Sequence, residues 1–166
     1  AYTMLMMTYY AQKKYQSVKR SYSDYMLTNP ASDFIDDAYY IYGKSLFQQK
    51  QYKKAIEFSL LALNKTKDKQ LTRKSHSLVT EAFDKVSNLS DIIDYQKNIK
   101  GERAQAVLAV KAAELEEKNE RYINARSILN EFIKNYPKSP FVVVANKGIQ
   151  RLNSKISNKV FIGILL

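Results

Sequence analysis

Apolar and aromatic residues cluster along the chain at helical spacings and are separated by short polar turns. One such turn is the polar run 48–51, which divides Leu46 and Phe47 from Ile56 and Leu60. Only 4 glycines and 3 prolines interrupt the 166 residues, so most of the chain is expected to be helical. The pattern predicts an all-α fold with helices near residues 2–13, 15–28, 33–50, 52–65, 69–87, 90–99, 102–119, 121–135 and 140–154.

A punctuated pattern occurs twice, 107 positions apart. The first copy comprises Tyr15, Val18, Tyr25, Pro30, Ser32, Phe34 and Ala38. The second copy comprises Tyr122, Ala125, Phe132, Pro137, Ser139, Phe141 and Ala145. In each copy the proline predicts the end of one helix, and the serine predicts the cap of the next. A separation of 107 residues is close to three periods of roughly 34–36 residues, the length of a helix–turn–helix repeat.

Small residues mark where the two helices of a repeat approach each other closely. Gly43 lies on the first helix of the clearest pair, and Ala55 lies on the second helix, twelve residues later. Ala125 follows Ala55 by 70 residues, which equals two periods of 35. The intermediate unit, near residues 75–100, lacks the small-residue pair. The sequence therefore predicts a repeat array with two clear units and a degenerate one between them.

This spacing resembles the tetratricopeptide repeat family, with a small residue, a second small residue twelve positions on, and a closing proline. The last unit fits the same pattern through Ala113, Tyr122, Ala125, Phe132 and Pro137. The resemblance covers residues 1–155 and implies a TPR-like α-solenoid of about four helix pairs plus a capping helix. It also implies a non-catalytic scaffold whose partner is another protein or a peptide segment.

The last residues change character. Six of the seven residues in 160–166 are apolar, and several are β-branched, which is typical of a strand buried on both faces. We therefore expect residues 156–166 to form a linker and the first strand of a truncated downstream α/β domain. The alternative is an apolar terminus that docks on the last helices.

Two segments indicate more closely which proteins with such repeats the chain resembles. Residues 136–141, echoed by 29–34, resemble the repeats of bacterial envelope lipoproteins, including outer-membrane assembly factors and Tol–Pal-associated coordinators. The ending 159–166 resembles the opening strand of the type 1 periplasmic binding-protein fold. Together they resemble lipoproteins that activate penicillin-binding proteins, or relatives fused to a receptor-like domain. The role that this resemblance implies is to regulate peptidoglycan synthesis or to position a periplasmic ligand-binding domain. The implied partner is an envelope protein such as a peptidoglycan synthase, and the implied location is the periplasm, with any outer-membrane contact made through a lipid anchor outside this segment. A cytoplasmic location stays open.

No residue set in the sequence suggests catalysis. The chain has no cysteine and a single histidine, His76, so histidine-based and cysteine-based metal sites or dyads are not expected. The four glycines are isolated, so no phosphate-binding loop is predicted. Acidic residues at 114, 116 and 117 lie near Lys111, Lys118 and Arg121, a pattern that favours ion pairs along a helix. We expect no enzyme activity, cofactor or metal in this segment.

The net charge of +11 leaves a second function open. Such a surplus favours acidic partners, so binding of nucleic acid or another polyanion is the alternative to peptide recognition. The basic residues are dispersed, and no arginine-rich stripe with interleaved aromatics occurs. A solvated, lysine-rich surface also accounts for the charge, and nucleic acid is the less favoured partner.

Aromatic residues suggest where a peptide would bind. Ten of the 13 tyrosines lie within the first 52 residues. In the tetratricopeptide family the first helices of the repeats line the concave face, and Gly43 sets the phase of this face. The candidate peptide-binding residues are Met7, Tyr10, Tyr40, Lys44 and Phe47. The alternative is that these aromatic side chains pack between helices.

Overall fold

A computed structural model describes residues 2–28, 31–86 and 88–164, with side chains up to residue 160. Contacts divide the chain into an N-terminal unit, Ala1–Ser87, and a C-terminal unit, Asn88–Leu166. Within the described residues every regular element is a helix, which agrees with the all-α prediction for residues 1–155. The predicted boundaries lie within two residues of the observed ones, except at the end of α9.

The N-terminal unit consists of five helices: α1 Tyr2–Ala11, α2 Tyr15–Thr28, α3 Ile35–Gln48, α4 Tyr52–Lys65 and α5 Lys69–Val86. Neighbouring helices pack in pairs along the chain, and α3 also contacts both α1 and α5. First helices of successive repeats contact one another in this way when helix hairpins stack side by side. The core includes Leu46, Ile56, Leu60 and Phe83, which are almost completely buried.

The C-terminal unit consists of four helices: α6 Leu89–Asn98, α7 Glu102–Lys118, α8 Tyr122–Asn135 and α9 Val142–Ile164. α7 packs against both α6 and α8, and α8 packs against α9. Helix α7 is rich in buried alanines, which allow its two neighbours to approach closely. The hydrophobic core of the C-terminal unit includes Ala109, Leu129, Phe132 and Leu152.

Three turns between paired helices share one backbone geometry. Lys13, Lys50 and Glu120 have φ angles of 59°, 60° and 57°. In each turn the amide of this residue donates to the carbonyl three residues earlier, and the next amide donates to the carbonyl five residues earlier. This Schellman pairing closes the first helix of the pair. The second helix begins two residues after the positive-φ residue, each time at a tyrosine.

The duplicated serines adopt equivalent local structures. The Oγ atoms of Ser32 and Ser139 accept hydrogen bonds from the amides of Phe34 and Phe141, at 3.3 Å and 3.1 Å. The following helices, α3 and α9, begin three residues after their serine, so the predicted direct serine caps are wrong. Each serine instead stabilises a short turn before the helix, because its Oγ accepts from the amide two residues on. Pro30 lies outside the described residues.

Gly43 confirms the predicted close approach of paired helices. A Cβ atom at this position would lie 3.1 Å from the Ser59 Oγ, 3.3 Å from the Phe58 Cβ and 3.4 Å from the Ala55 carbonyl oxygen. Ser59 and Ala55 are completely buried. The missing side chain therefore sets the spacing between α3 and α4.

The strand expected at residues 160–166 is replaced by helix as far as residue 164, and residues 165–166 lie outside the described range. No strand occurs in the parts of the chain that the structure describes. A short apolar run has no periodicity that separates strand from helix. Extending an existing helix satisfies one backbone hydrogen bond per residue, whereas a lone strand leaves its backbone unpaired. The downstream α/β domain stays a prediction.

No described helix combines the length and apolar character that are needed to cross a membrane.

Candidate functional site

The first helices of the N-terminal unit bring three of the predicted residues onto one face. Lys44 of α3 places its Nζ 4.9 Å from the centre of the Tyr10 ring of α1. The Tyr10 hydroxyl is hydrogen-bonded to the side chain of Gln48, one helical turn beyond Lys44. Tyr40 lies one turn before Lys44 and is close enough to Tyr10 for their hydroxyls to interact electrostatically. We call this set, Tyr10, Tyr40, Lys44 and Gln48, the α1–α3 face.

The tyrosine hydroxyls of the α1–α3 face stay protonated at neutral pH. Burial raises the pKa of Tyr40, and the neighbouring Tyr10 and Glu81 raise it further. Burial also raises the pKa of Tyr10, with a smaller contribution from Tyr15, while the hydrogen bond with Gln48 opposes this change. Both rings therefore present neutral hydroxyls that can donate hydrogen bonds, and Lys44 carries the positive charge of this face.

Met7 and Phe47 occupy different surroundings. Met7 is 50% exposed and precedes Tyr10 by three residues on α1, so the two side chains lie on the same side of that helix. Phe47 packs edge-on against Tyr52, with ring centres 5.3 Å apart. This contact joins the end of α3 to the start of α4, so Phe47 helps to hold the helix pair together.

A second group of aromatic residues packs between helices. Tyr22 and Tyr42 stack with ring centres 4.4 Å apart, and Phe58 contacts Tyr42 edge-on at 4.7 Å. Tyr39 lies at the margin of this group, 6.2 Å from Phe58. The tyrosine-rich first third of the chain thus contains an aromatic core between α2, α3 and α4 as well as the α1–α3 face. Packing between helices therefore accounts for this second group, and peptide binding by the candidate residues stays a prediction.

Glu81 and Gln48 were not predicted as part of the site. Glu81 lies on α5, accepts a hydrogen bond from Ser77 Oγ at 2.8 Å, and lies close enough to Tyr40 to influence its pKa. Gln48 follows Lys44 by four residues, so its helical position could have identified it. No comparable signal identifies Glu81, because α5 belongs to the degenerate repeat.

No group of histidine, cysteine, aspartate or glutamate residues suited to a metal ion occurs among the described side chains. The single histidine, His76, is exposed on α5. What the α1–α3 face offers is aromatic surface, neutral hydrogen-bond donors and one ammonium group. These groups suit recognition of a ligand by contact and charge.

Comparison with protein families identifies two repeats. The tetratricopeptide repeat model matches residues 37–68 and 107–139. The first match contains most of α3 and all of α4, and the second contains most of α7 and all of α8. No curated protein and no solved structure matches the chain. The matches and the helical structure support a TPR-like helical domain, and repeats of this kind generally act as non-catalytic scaffolds for protein–protein interaction.

Proposed function

We propose that the α1–α3 face, with Met7 beside it, binds an extended peptide segment of a protein partner. The observation that carries this proposal is the placement of Lys44 over the Tyr10 ring, next to Tyr40. The aromatic rings and the half-exposed Met7 supply apolar contact, and Lys44 attracts an acidic group of the peptide. Phe47 supports the face through its contact with Tyr52.

The cation–π contact gives Lys44 a defined position before a ligand arrives. Its ammonium group lies over an aromatic ring rather than moving freely in water, so less side-chain entropy is lost on binding. A carboxylate of the ligand would approach the ammonium from the side opposite the ring. The neutral Tyr40 hydroxyl can then donate a hydrogen bond to the same carboxylate or to a peptide carbonyl.

The partner that we propose is a protein of the bacterial cell envelope, such as a peptidoglycan synthase, and the proposed location is the periplasm. This step is supported by the resemblance of residues 136–141 and 29–34 to envelope lipoprotein repeats. Fractionation of cells that express the full-length natural protein tests the location. Recovery in the cytoplasmic fraction alone would contradict it.

Affinity capture with quantitative mass spectrometry tests the α1–α3 face. The full chain and its Tyr40→Ala/Lys44→Glu variant are incubated with envelope extracts, and the amount of each captured protein is compared. We expect at least one partner to be retained about tenfold less by the variant, because an anchor ring and a charge are removed together. Lys54→Glu, which reverses a similar exposed charge on α4, is the control and should retain that partner.

Equal capture by the double variant would show that the α1–α3 face does not bind a partner. The dispersed basic surface supplies the competing explanation, since the net charge is +11. Polyanion binding through net charge would weaken steeply between two salt concentrations and would respond similarly to Lys44→Glu and Lys54→Glu. A peptide anchored by aromatic contacts would depend far less on salt and would distinguish the two variants.

A further inference from the structure

The C-terminal unit contains a groove of about 540 Å³ between α6 and α8, with α7 as its floor. Both flanking helices pack on α7, and the floor is formed by the small side chains of Ala109 and Ala112. Larger residues at these positions would fill the space. The groove is therefore built by the alanine pattern of α7.

One part of this groove is apolar. Leu89 and Ile93 line it from α6, and Ile128 and Phe132 line it from α8. Ile93 is 41% exposed, so a large apolar side chain is left in contact with water beside the hollow. Covering such a surface with apolar atoms is favourable at roughly 25 cal/mol per Å² of area removed from water.

The other end of the groove carries positive charge. The Gln105 side-chain amide donates to the carbonyls of Gln96 and Ile99, at 3.0 Å and 2.7 Å, which places the end of α6 beside the start of α7. Lys97 and Lys100 line the groove at this end. Lys97 lies on α6 and Lys100 lies in the connection from α6 to α7, so a ligand carboxylate would be attracted to this side of the groove.

Lys97 can exchange its present partner at little cost. Its Nζ lies 4.0 Å from the Asp94 carboxylate, and both side chains are mostly exposed. Such surface pairs contribute about 0–1 kcal/mol, so an incoming carboxylate can replace Asp94. Glu131 lines the opposite wall on α8 and would repel a second acidic group there.

A helix suits this groove better than an extended strand. The walls are helices whose backbone groups are already paired, so they offer no sheet edge to an extended peptide. A helical ligand satisfies its own backbone hydrogen bonds and can lie against apolar walls. From Gln105 to Ala112 the floor spans roughly 10 Å at 1.5 Å per residue, which is about two helical turns.

We propose that the groove between α6 and α8 binds a short amphipathic helix of a protein partner. The helix places two apolar side chains, one turn apart, beside Ile93 and Ile128, and an acidic side chain about one turn further on beside Lys97 and Lys100. This site lies on other helices than the α1–α3 face and does not depend on the function proposed for that face.

The test is selection of peptides from a displayed library of random twelve-residue sequences on the full chain. Enriched peptides are then synthesised, and their affinities are measured by fluorescence anisotropy. We expect the enriched peptides to carry the apolar pair followed by an acidic residue. Ile93→Glu should weaken their binding by about tenfold or more, because it places a charge in the apolar part. Ile123→Glu, at an exposed isoleucine outside the groove, should leave the affinity within about twofold.

Charge reversal tests the other end of the groove. Lys97→Glu/Lys100→Glu should shift preference to a synthetic peptide whose acidic residue is replaced by lysine, while Lys134→Glu outside the groove should leave the original preference unchanged. The proposal fails if no peptide is enriched, if the enriched peptides are basic, or if they bind the Ile93→Glu variant equally well. It also fails if Ile93→Glu dissociates an oligomer in sedimentation experiments, because the groove would then be occupied by a second copy of this chain. Circular dichroism confirms that each variant retains its helical content.

Discussion

The two units contain the same kind of helix pair, but in the C-terminal unit a row of charged side chains adds to the apolar contact with the following helix. In both pairs, α3–α4 and α7–α8, the turn has a residue at φ near 60°, and the second helix begins at a tyrosine. In the N-terminal unit the next helix, α5, buries Leu71, Ser75 and Phe83. In the C-terminal unit the next helix, α9, likewise buries Ala145 and Leu152, and a row of charged side chains adds to this contact.

The charged row joins α9 to the end of α7 and the turn that follows it. The Glu117 carboxylate is 2.7 Å from Arg151 and 2.8 Å from Lys155. Glu120 in the turn pairs with Lys159 at 3.1 Å. Lys155 and Lys159 each lie 5.6 Å from the centre of the Tyr122 ring. The turn at Lys50 in the N-terminal unit reverses the chain direction. The equivalent turn at Glu120 also helps to hold α9.

One pair of equivalent positions also differs within the helix pairs themselves. Leu46 and Glu116 both lie five residues before the second amide of their Schellman turn, and both are buried. Leu46 contributes apolar packing, whereas Glu116 accepts a hydrogen bond from Asn124 and pairs with Arg121. The two helix pairs thus share their backbone turn, while the chemistry of the buried position before the turn differs between them.

The largest effect is expected for Gly43→Val in the N-terminal unit. A Cβ atom already meets Ser59, Phe58 and the Ala55 carbonyl at 3.1–3.4 Å, and valine adds two methyl groups. Overpacking of this kind, with backbone in the contact, should lower the free energy of unfolding by about 3 kcal/mol. Urea denaturation and native-state hydrogen exchange measure this, and exchange should accelerate first in α3 and α4.

Gly148→Ala in the C-terminal unit is the matched control for Gly43→Val. Its new Cβ would lie 2.7 Å from Leu129 Cδ1, the end of a flexible side chain that can rotate away. Alanine also gains about 1 kcal/mol of helix propensity over glycine in a helix interior. The net change should stay within about 1 kcal/mol. A loss equal to that of Gly43→Val would show that both glycines are equally constrained.

The sequence allowed the helix pairs to be predicted, because their determinants repeat locally. The spacing of Gly43, Ala55 and Ala125 identifies two repeats, and the family matches fall on the same stretches. The sequence pattern did not allow us to predict the ion pairs that hold α9. The acidic cluster predicts ion pairs within one helix, and Lys111–Glu114 is such a pair at 2.9 Å. Glu117 instead pairs with Arg151, 34 residues away, and only tertiary packing brings these side chains together.

The candidate site could also be predicted only in part from the sequence. Tyr40 and Lys44 could be placed on one face from helical spacing alone, and the structure brings Tyr10 to them. Phe47 lies at the right spacing, yet its ring turns to Tyr52 of the next helix. Sequence spacing defines which side of a helix a residue occupies, but the neighbouring helix decides which side chains it covers.

The second largest effect is expected when the C-terminal unit loses the central carboxylate of its charged row. Glu117→Ala removes two hydrogen bonds with Arg151, at 3.2 Å and 2.7 Å, and should lower the free energy of unfolding by about 1–2 kcal/mol. Hydrogen exchange should accelerate in α9 and leave α3 and α4 unchanged. Asp84→Ala, at an exposed carboxylate on α5, is the control. A uniform change across both units would contradict a local role for Glu117.

Acid should weaken the C-terminal unit through the same carboxylate. The hydrogen bond from Arg151, followed by the bond from Lys155 and the charges of both, holds the pKa of Glu117 below its ordinary value, although burial opposes this. The unfolded chain therefore takes up the proton first, and the stabilisation is complete only above about pH 4.3, the ordinary glutamate pKa. It should decline as the pH falls through the lowered pKa of the folded state. Exchange measured in α9 of the wild type and of Glu117→Ala should converge in acid, and a constant difference would contradict the assignment.

A smaller effect, of opposite sign, is expected for Glu116→Leu. This substitution gives the C-terminal unit the residue that the N-terminal unit has at the equivalent position. The partners that Glu116 loses, Arg121 and Asn124, are exposed and can be solvated by water, and burial of the charge itself is costly, so the free energy of unfolding should stay equal or rise by about 1 kcal/mol. Glu116→Ala should instead lower it by about 2 kcal/mol, because the smaller side chain also leaves a cavity. Thermal and urea denaturation of both variants measure the contrast, and a large loss for Glu116→Leu would show that the charge itself is required.

The smallest effect on stability is expected at the turn residue with positive φ, which both units have. Lys50 and Glu120 adopt a left-handed backbone that costs roughly 1–2 kcal/mol for residues with a Cβ, whereas glycine adopts it freely. Glycine also loses more entropy on folding, so Lys50→Gly should raise the free energy of unfolding by only about 0.5–1 kcal/mol. Glu120→Gly gains the same backbone relief but loses the ion pair with Lys159, so its gain should be smaller. Urea denaturation of the two variants therefore separates the shared turn from the attachment of α9, and equal gains would show that the Glu120–Lys159 pair contributes nothing to stability.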